Sequence, residues 1–265
     1  MSMPTDTVRR ADETSAVTIR EVTTIEEYDA CVQLQREAFG LEDLELSPRR
    51  HLIVSRSAGG WTLGAFVGDE LVGFVHHLVA VRGGEEIIGY SHMMAVAQTR
   101  QNLGVGARLK WAQRERTLAE GRRFIKWTWD PLRARNAHFN LNRLGVVVRS
   151  YAVNFYGTDY ESAPGDAGQQ HGIDSDRLAA GWELDSPRVE ECARTGQAPP
   201  FAAEPAASVA IPPDWSALMH EDPQAAQKEL LRVRTEFQQA FAAGLACAGF
   251  ERSKTEPRYL FFVER

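Results

Sequence analysis

The stretch Val96-Ala97-Gln98-Thr99-Arg100-Gln101-Asn102-Leu103-Gly104-Val105-Gly106 limits what this chain can build. It joins an apolar, strand-like run at 87–96 to a helix-forming run at about 104–120. A glycine-bearing turn from strand to helix leaves several N–H groups unpaired and aimed at one point. The helix dipole adds partial positive charge there, so the turn suits a phosphate or pyrophosphate. Gly104 and Gly106 carry no side chain that would hold such a ligand off the backbone. The spacing is not the dinucleotide fingerprint, which needs three glycines and a later acidic residue. It is not a P-loop either, because no Gly-Lys-Ser/Thr follows.

The order of elements around the turn is informative. Residues 17–22 read as a first strand. Thr24-Ile25-Glu26-Glu27 then forms a capping box for a helix ending near Gly40. Tyr28, Cys31, Val32 and Ala38 fall near one face of that helix. A shorter helix is expected over 48–57. Strands at 61–67 and 71–81 form a hairpin around Gly68-Asp69-Glu70, and the next strand follows Gly83-Gly84. After the glycine turn and its helix come a strand at 124–130, a helix over 136–144 closed by Gly145, and a strand at 146–155.

Gln101-x-x-Gly104-x-Gly106, with Val96 five residues before it, resembles the acyl-CoA signature of the GNAT N-acyltransferase superfamily. The order β-α-α-β-β-β-α-β-α-β over about 17–185 resembles that fold as well. The resemblance implies an α/β GNAT acyl-CoA acyltransferase fold, with a mixed central sheet flanked by helices. It also implies acetyl-CoA or another acyl-CoA as co-substrate, no metal, and direct attack of an amine on the thioester. The backbone of Gln101, Asn102, Leu103, Gly104, Val105 and Gly106 would hold the pyrophosphate, with Arg100 and Arg108 as further phosphate candidates. Met94 and Val96 match the positions that pair with pantetheine, and an N–H near Met94 would face the developing oxyanion. Asn136 matches a residue on the CoA arm, and Asn140 lies one turn further on. The chain departs from the family at Leu141, where many members carry a tyrosine that protonates the leaving thiolate.

A replacement acid is sought at Tyr151 and Tyr156, and Tyr156 is the candidate carried forward. His92 is the first candidate base, since its pKa range suits proton transfer at neutral pH. Period-two alternation sends His92 and Met94 to one face, unless a bulge intervenes. Asp130, in Thr128-Trp129-Asp130-Pro131, is the second candidate and also reads as a turn residue before proline. His76 and His77 alternate, so only one can face a cleft. Trp127 and Trp129 share a face that lines either an acceptor pocket or the core.

The chain has 265 residues and a formal charge of −6, which argues against general nucleic-acid binding and favours a cationic or neutral substrate. Cys31, Cys192 and Cys247 form no metal pattern or disulfide framework and suit a reducing cytoplasm. No apolar run reaches membrane-spanning length, and residues 1–16 are too polar for a secretory signal and read as a disordered arm. Beyond the acyltransferase region at 17–185 lie a connector at 186–207 and an extension at 208–265. Within that region, 161–176 is rich in Gly, Asp, Ser and Pro and reads as an excursion before 177–184. The extension reads as strand-helix-strand, its helix running from Asp222-Pro223 to about Cys247. Val233, Phe237, Phe241 and Leu245 make an apolar stripe that packs on the core or serves a homodimer surface. A subgroup of bacterial predicted acetyltransferases has a similar extension.

The leading expectation is N-acetyl transfer to a small-molecule amine. A CoA-binding module without catalysis, and an acyl-CoA enzyme of different chemistry (O-acyl transfer or decarboxylation), are the alternatives.

Overall fold

The first helix starts where its cap requires. Thr24 Oγ accepts from the Glu27 N–H at 3.3 Å, and Glu27 Oε2 accepts from the Thr24 N–H at 3.2 Å. Helix α1 (Ile25–Phe39) ends at Gly40, whose φ of 67° is a left-handed conformation that glycine adopts without strain. The computed structural model describes residues 17–41, 43–158 and 172–264. The expected arm at 1–16 and the first part of the excursion at 161–176 lie outside them. The described residues form two compact units, the first running to Arg122 and the second from Arg123. The architecture is mixed α/β.

In the first unit, β1 (Val17–Glu21), β2 (Trp61–Val67), β3 (Glu70–Arg82) and β4 (Glu86–Val96) pair antiparallel in sequence order. Helix α1 and α2 (Arg49–Ser57) cover one face, where Tyr28, Cys31, Leu34 and Leu52 meet Phe66, Phe74 and Ala95. Helix α3 (Val105–Ala119) covers the other, where Val105 and Leu109 meet Leu63, Ala65 and Val75. Each such apolar side chain contributes about 1.5–3 kcal/mol when fully buried.

The register between β3 and β4 shifts at one point. His76 pairs with Met93 and His77 with Ser91, so His92 is an extra residue on β4. Ser91 and Met94 turn to the α3 face, where Lys110 reaches Ser91 and Met94 joins the Val105 cluster. His92 and Met93 both turn to the α1/α2 face. The expectation that His92 shares a face with Met94 is therefore corrected, because a bulge resets the alternation between them.

The second unit holds β5 (Phe124–Trp129), β6 (Val147–Ala152), β7 (Arg177–Glu183), β8 (Ala207–Ala210), β9 (Leu245–Glu251) and β10 (Arg258–Val263). Their antiparallel pairings run β5-β7-β6-β9-β10-β8. Its helices are α4 (Ala134–Ala137), α5 (Pro187–Thr195), α6 (Trp215–Glu221) and α7 (Pro223–Ala242). Val233 and Phe237 of the α7 stripe are buried within their own unit, and Phe241 is half-buried: the Phe237 ring meets Tyr151 of β6 and Tyr259 and Phe261 of β10.

Three local differences from the sequence expectation matter. Helix α7 stops at Ala242, and Gly244 at φ 74° turns the chain into β9. Leu245 thus belongs to a strand, and the extension runs strand-helix-helix-strand-strand. Helix α5 occupies part of the stretch read as connector. Ser186 caps it by accepting from the Val189 N–H, with Pro187 at its first position. The helix expected over 136–144 is α-helical only at Ala134–Ala137 and continues as a π turn, His138–Arg143. There the Leu144 N–H reaches Phe139 O, five residues back, at 3.1 Å.

Candidate functional site

In the first unit the glycine turn is braced from three directions. The Ala97 N–H donates to Val72 O at 2.9 Å. The Gln98 N–H donates to Glu37 Oε1 at 2.8 Å, and its side chain donates to Glu37 O at 3.2 Å. Gln101 Nε2 folds back to donate to Val96 O at 3.3 Å. Asn102 (φ 62°) and Gly104 (φ 82°) take left-handed conformations, which swing the chain into α3.

Gly104 is the N-cap of α3 and offers no side-chain acceptor, and no acidic residue stands in the first turn. The first N–H groups of α3 thus have neither an intrahelical acceptor nor a side-chain cap. A Cβ at Gly104 would meet nothing within 4 Å, so the space beside this cap residue is open. Gly106 lies over β4, its missing Cβ 3.4 Å from Met94 Cε and 3.8 Å from Val96 Cγ2. The Met94 and Val96 side chains are core on that face. Arg108 donates to Val17 O at 2.6 Å and so ties α3 to β1.

On the α1/α2 face three imidazoles cluster. The His51 ring lies 5.6 Å from those of His76 and His92, and His76 and His92 are 6.0 Å apart. His76 is fully buried with both nitrogens engaged. Ser55 Oγ donates to His51 O, so it accepts from His76 Nε2 at 3.2 Å, and Thr62 Oγ donates to Nδ1 at 2.8 Å. Burial pushes His76 down to about 3, with help from the neighbouring imidazoles. His92 shares a hydrogen bond at 3.3 Å with Ser47 Oγ and keeps an open side. Crowding of its ring by the surrounding protein, and then the charge of His51, lower its pKa below the ordinary histidine value. His92 thus combines solvent access with a shift that favours its neutral ring.

Across the sheet, His77 lies flat on Trp61 with ring centres 4.0 Å apart. Gln113 Nε2 donates to His77 Nδ1 at 3.2 Å. Lys110 Nζ donates to Gln113 Oε1 at 2.7 Å and to Ser91 Oγ at 3.1 Å. Burial lowers the Lys110 pKa well below that of a free lysine.

In the second unit, Asp130 Oδ1 accepts from the Leu132 N–H at 2.8 Å, and Oδ2 from Arg133 Nε at 3.3 Å. The carboxylate thus holds the turn before α4. Asn136 is exposed on α4, whereas Asn140 is buried in the π turn. Leu141 is fully buried. Tyr151 donates to Asp176 Oδ2 at 2.7 Å, and burial with that carboxylate raises its pKa. Tyr156 is exposed, its ring edge-on to Phe155 and under Arg177. Trp127 and Trp129 are core: Trp127 packs edge-on to Trp182, and Trp129 Nε1 donates to Tyr259 OH at 3.4 Å.

The structure thus brings His92 together with Ser47 and His51, two residues that sequence reasoning missed. Nothing in the local pattern marks them, because the contact spans 45 residues for Ser47. Lys110 was also missed, although its place one residue after Leu109 on the inner side of α3 was a usable signal. Burial pushes the Cys31 thiol up to about 12 and Cys192 to about 11, so neither is a ready nucleophile.

No protein-family model and no curated protein sequence matches this chain. Solved structures are similar at low identity. The ribosomal-protein-S18-alanine N-acetyltransferase of Escherichia coli is 13% identical, with a TM-score of 0.49 over 64% of this chain and 95% of its own. A GNAT family acetyltransferase of Elizabethkingia anophelis with acetyl-CoA bound is 18% identical, with a TM-score of 0.47 over 63% and 98%. A GNAT acetyltransferase of Streptococcus pneumoniae is 17% identical, with a TM-score of 0.48 over 62% and 97%. All three of these are described as acetyltransferases, and the latter two as members of the GNAT family.

Proposed function

We propose that this chain is an acyl-CoA-dependent N-acyltransferase that moves the acetyl group of acetyl-CoA onto an amine of a small molecule. The observation that carries the reading is the start of α3, where uncapped N–H groups stand next to the open space beside Gly104. An anion completes such a helix end, and a pyrophosphate is an anion of suitable size and charge. Gly104, Val105 and Gly106 stand at this helix start, the segment Gln101 to Leu103 leads the chain into it, and Gln101 Nε2 braces the turn. An N–H near Met94 stabilises negative charge on the thioester oxygen as the amine attacks. His92, neutral at pH 7, takes the amine proton. Asp130, held with Arg133, orients the amine, and Tyr156 or water supplies the proton to the departing thiolate. Asn136 contacts the CoA arm. The net charge of −6 favours a cationic or neutral acceptor.

A second reading, a CoA-binding module without turnover, is favoured by one observation. Leu141 is fully buried at the acid position, and Tyr151 and Asp130 are committed to other partners. Titration calorimetry with acetyl-CoA and CoA, followed by thiol release with a panel of amines, separates the two. Binding with amine-dependent release supports the transferase. Binding with no release supports the module, and no binding overturns both.

A further inference from the structure

The carbonyls at the end of the π turn are satisfied from outside it. A helix end frees its last carbonyls, and a π turn adds to the mismatch. Asn140 O takes the Val146 N–H at 3.0 Å, and Leu141 O takes Arg188 Nη2 of α5 at 3.2 Å. Asn142 O takes the Ala198 N–H at 2.7 Å, and Leu144 O takes Trp182 Nε1 of β7 at 2.8 Å.

The Asn142 side chain makes a second, two-way link. Its Nδ2 donates to Phe250 O at 2.9 Å, and its Oδ1 accepts from the Phe250 N–H at 3.0 Å. Phe250 lies on β9 of the C-terminal extension. Arg188 also reaches β9, donating to Ala248 O at 2.7 Å. Its guanidinium lies over the Phe201 ring, its Nε is buried without a partner, and burial lowers its pKa. Gly145, at φ 75°, leaves only 3.0 Å between a would-be Cβ and Cys192 Sγ of α5. A buried guanidinium with an unpartnered nitrogen is a costly group to keep if packing were its sole purpose.

We infer that Asn142 and Arg188 are positioning residues for the acyl-CoA reaction, and that α5 and β9 clamp the π turn in the shape that presents the CoA-arm segment at 134–140. This rests on the acyltransferase reading above. A merely structural clamp lowers stability alone. A positioning clamp sets the affinity for acyl-CoA while the protein remains fully folded.

The test uses the full chain carrying Asn142→Ala, Arg188→Met or Arg188→Lys, with Val233→Ala as a core control on α7. Amide exchange over 138–146 and the acetyl-CoA Kd by calorimetry are measured well below each melting temperature. The inference expects faster exchange at Leu144 and Val146 in Asn142→Ala and Arg188→Met. It also expects acetyl-CoA binding weaker by about tenfold or more, as for a binding group held slightly out of place. Arg188→Lys, which keeps a donor for Leu141 O, recovers part of the affinity. Unchanged Kd in both variants overturns the inference, as does an equal loss of affinity in Val233→Ala. If wild type binds acetyl-CoA, only the clamp is at issue. If wild type binds no CoA species, the acyltransferase reading falls and takes the inference with it.

Discussion

The His51 and His92 rings stand 5.6 Å apart on the α1/α2 face, opposite the face that buries Met94. A base on that face receives an acceptor arriving from the side of α1 and α2. His92→Ala is expected to lower turnover by about 10²–10⁴-fold with little change in acetyl-CoA affinity. His92 has a lowered pKa, so its neutral form persists below the usual histidine midpoint. Turnover should be flat from pH 7 upward and fall only as acid protonates the ring below 6.5. A kcat–pH profile with its limb above 6.5 would exclude His92 as the base.

Gly104 and Gly106 separate backbone strain from ligand exclusion. Gly104 sits at φ 82°, so Gly104→Ala should cost about 1–2 kcal/mol of stability in urea melts. A Cβ at Gly106 would make ordinary contact with Met94, so Gly106→Ala should fold like wild type. Gly104→Glu, compared with Gly104→Ala at the same backbone cost, puts a carboxylate into the open space at the helix start and should abolish CoA binding. Wild-type affinity in that variant would remove the assignment.

Lys110 gives stability a specific pH slope. Its folded pKa lies below the unfolded value near 10.5, so the folded state resists protonation of the amine. The resulting penalty is largest at low pH and fades as pH rises toward 10.5. Relative to Lys110→Met, wild type should gain stability between pH 7 and pH 9.5. Parallel curves for the two proteins in urea would contradict a buried neutral lysine.

Glu27 makes a prediction of the same sign in a more acidic window. Burial raises its pKa, but the Thr23 N–H, Arg20 and the Thr24 N–H outweigh that, and the net shift is downward. The cap therefore contributes fully above pH 4.5 and is lost as pH falls through the lower folded value. Thr24→Ala should cost about 1 kcal/mol at neutral pH. Glu27→Gln should melt closer to wild type at pH 3 than at pH 7, and a constant gap would count against the cap.

The legible parts of the fold carried punctuation that only one conformation satisfies. The Thr24–Glu27 box, the glycine at 68 and the turn at 104 each marked an element boundary on local chemistry alone. The elements that escaped lack such marks. Strand β9 reads Leu-Ala-Cys-Ala-Gly-Phe-Glu, poor in β-branched residues, and Leu245 continued the four-residue stripe of α7 past Gly244. Helix α5 is only nine residues long and adjoins an Ala/Pro-rich stretch. The bulge at His92 carries no glycine, and the π turn owes its shape to partners more than 40 residues away in sequence. The site divides along the same line. Backbone features of the turn were readable, whereas the neighbours of His92 depend on tertiary closure.

The hydroxyl of Tyr259 donates to Pro131 O at 2.7 Å across a sequence separation of 128 residues. Unit one is an antiparallel meander whose strands pair as they emerge, so its sheet can assemble early during synthesis. Unit two buries Trp129 and Val148 beside strands drawn from beyond residue 244. Until those strands leave the ribosome, that half of the molecule displays uncovered aromatic surface and an unpaired strand edge, the kind of surface that chaperones bind.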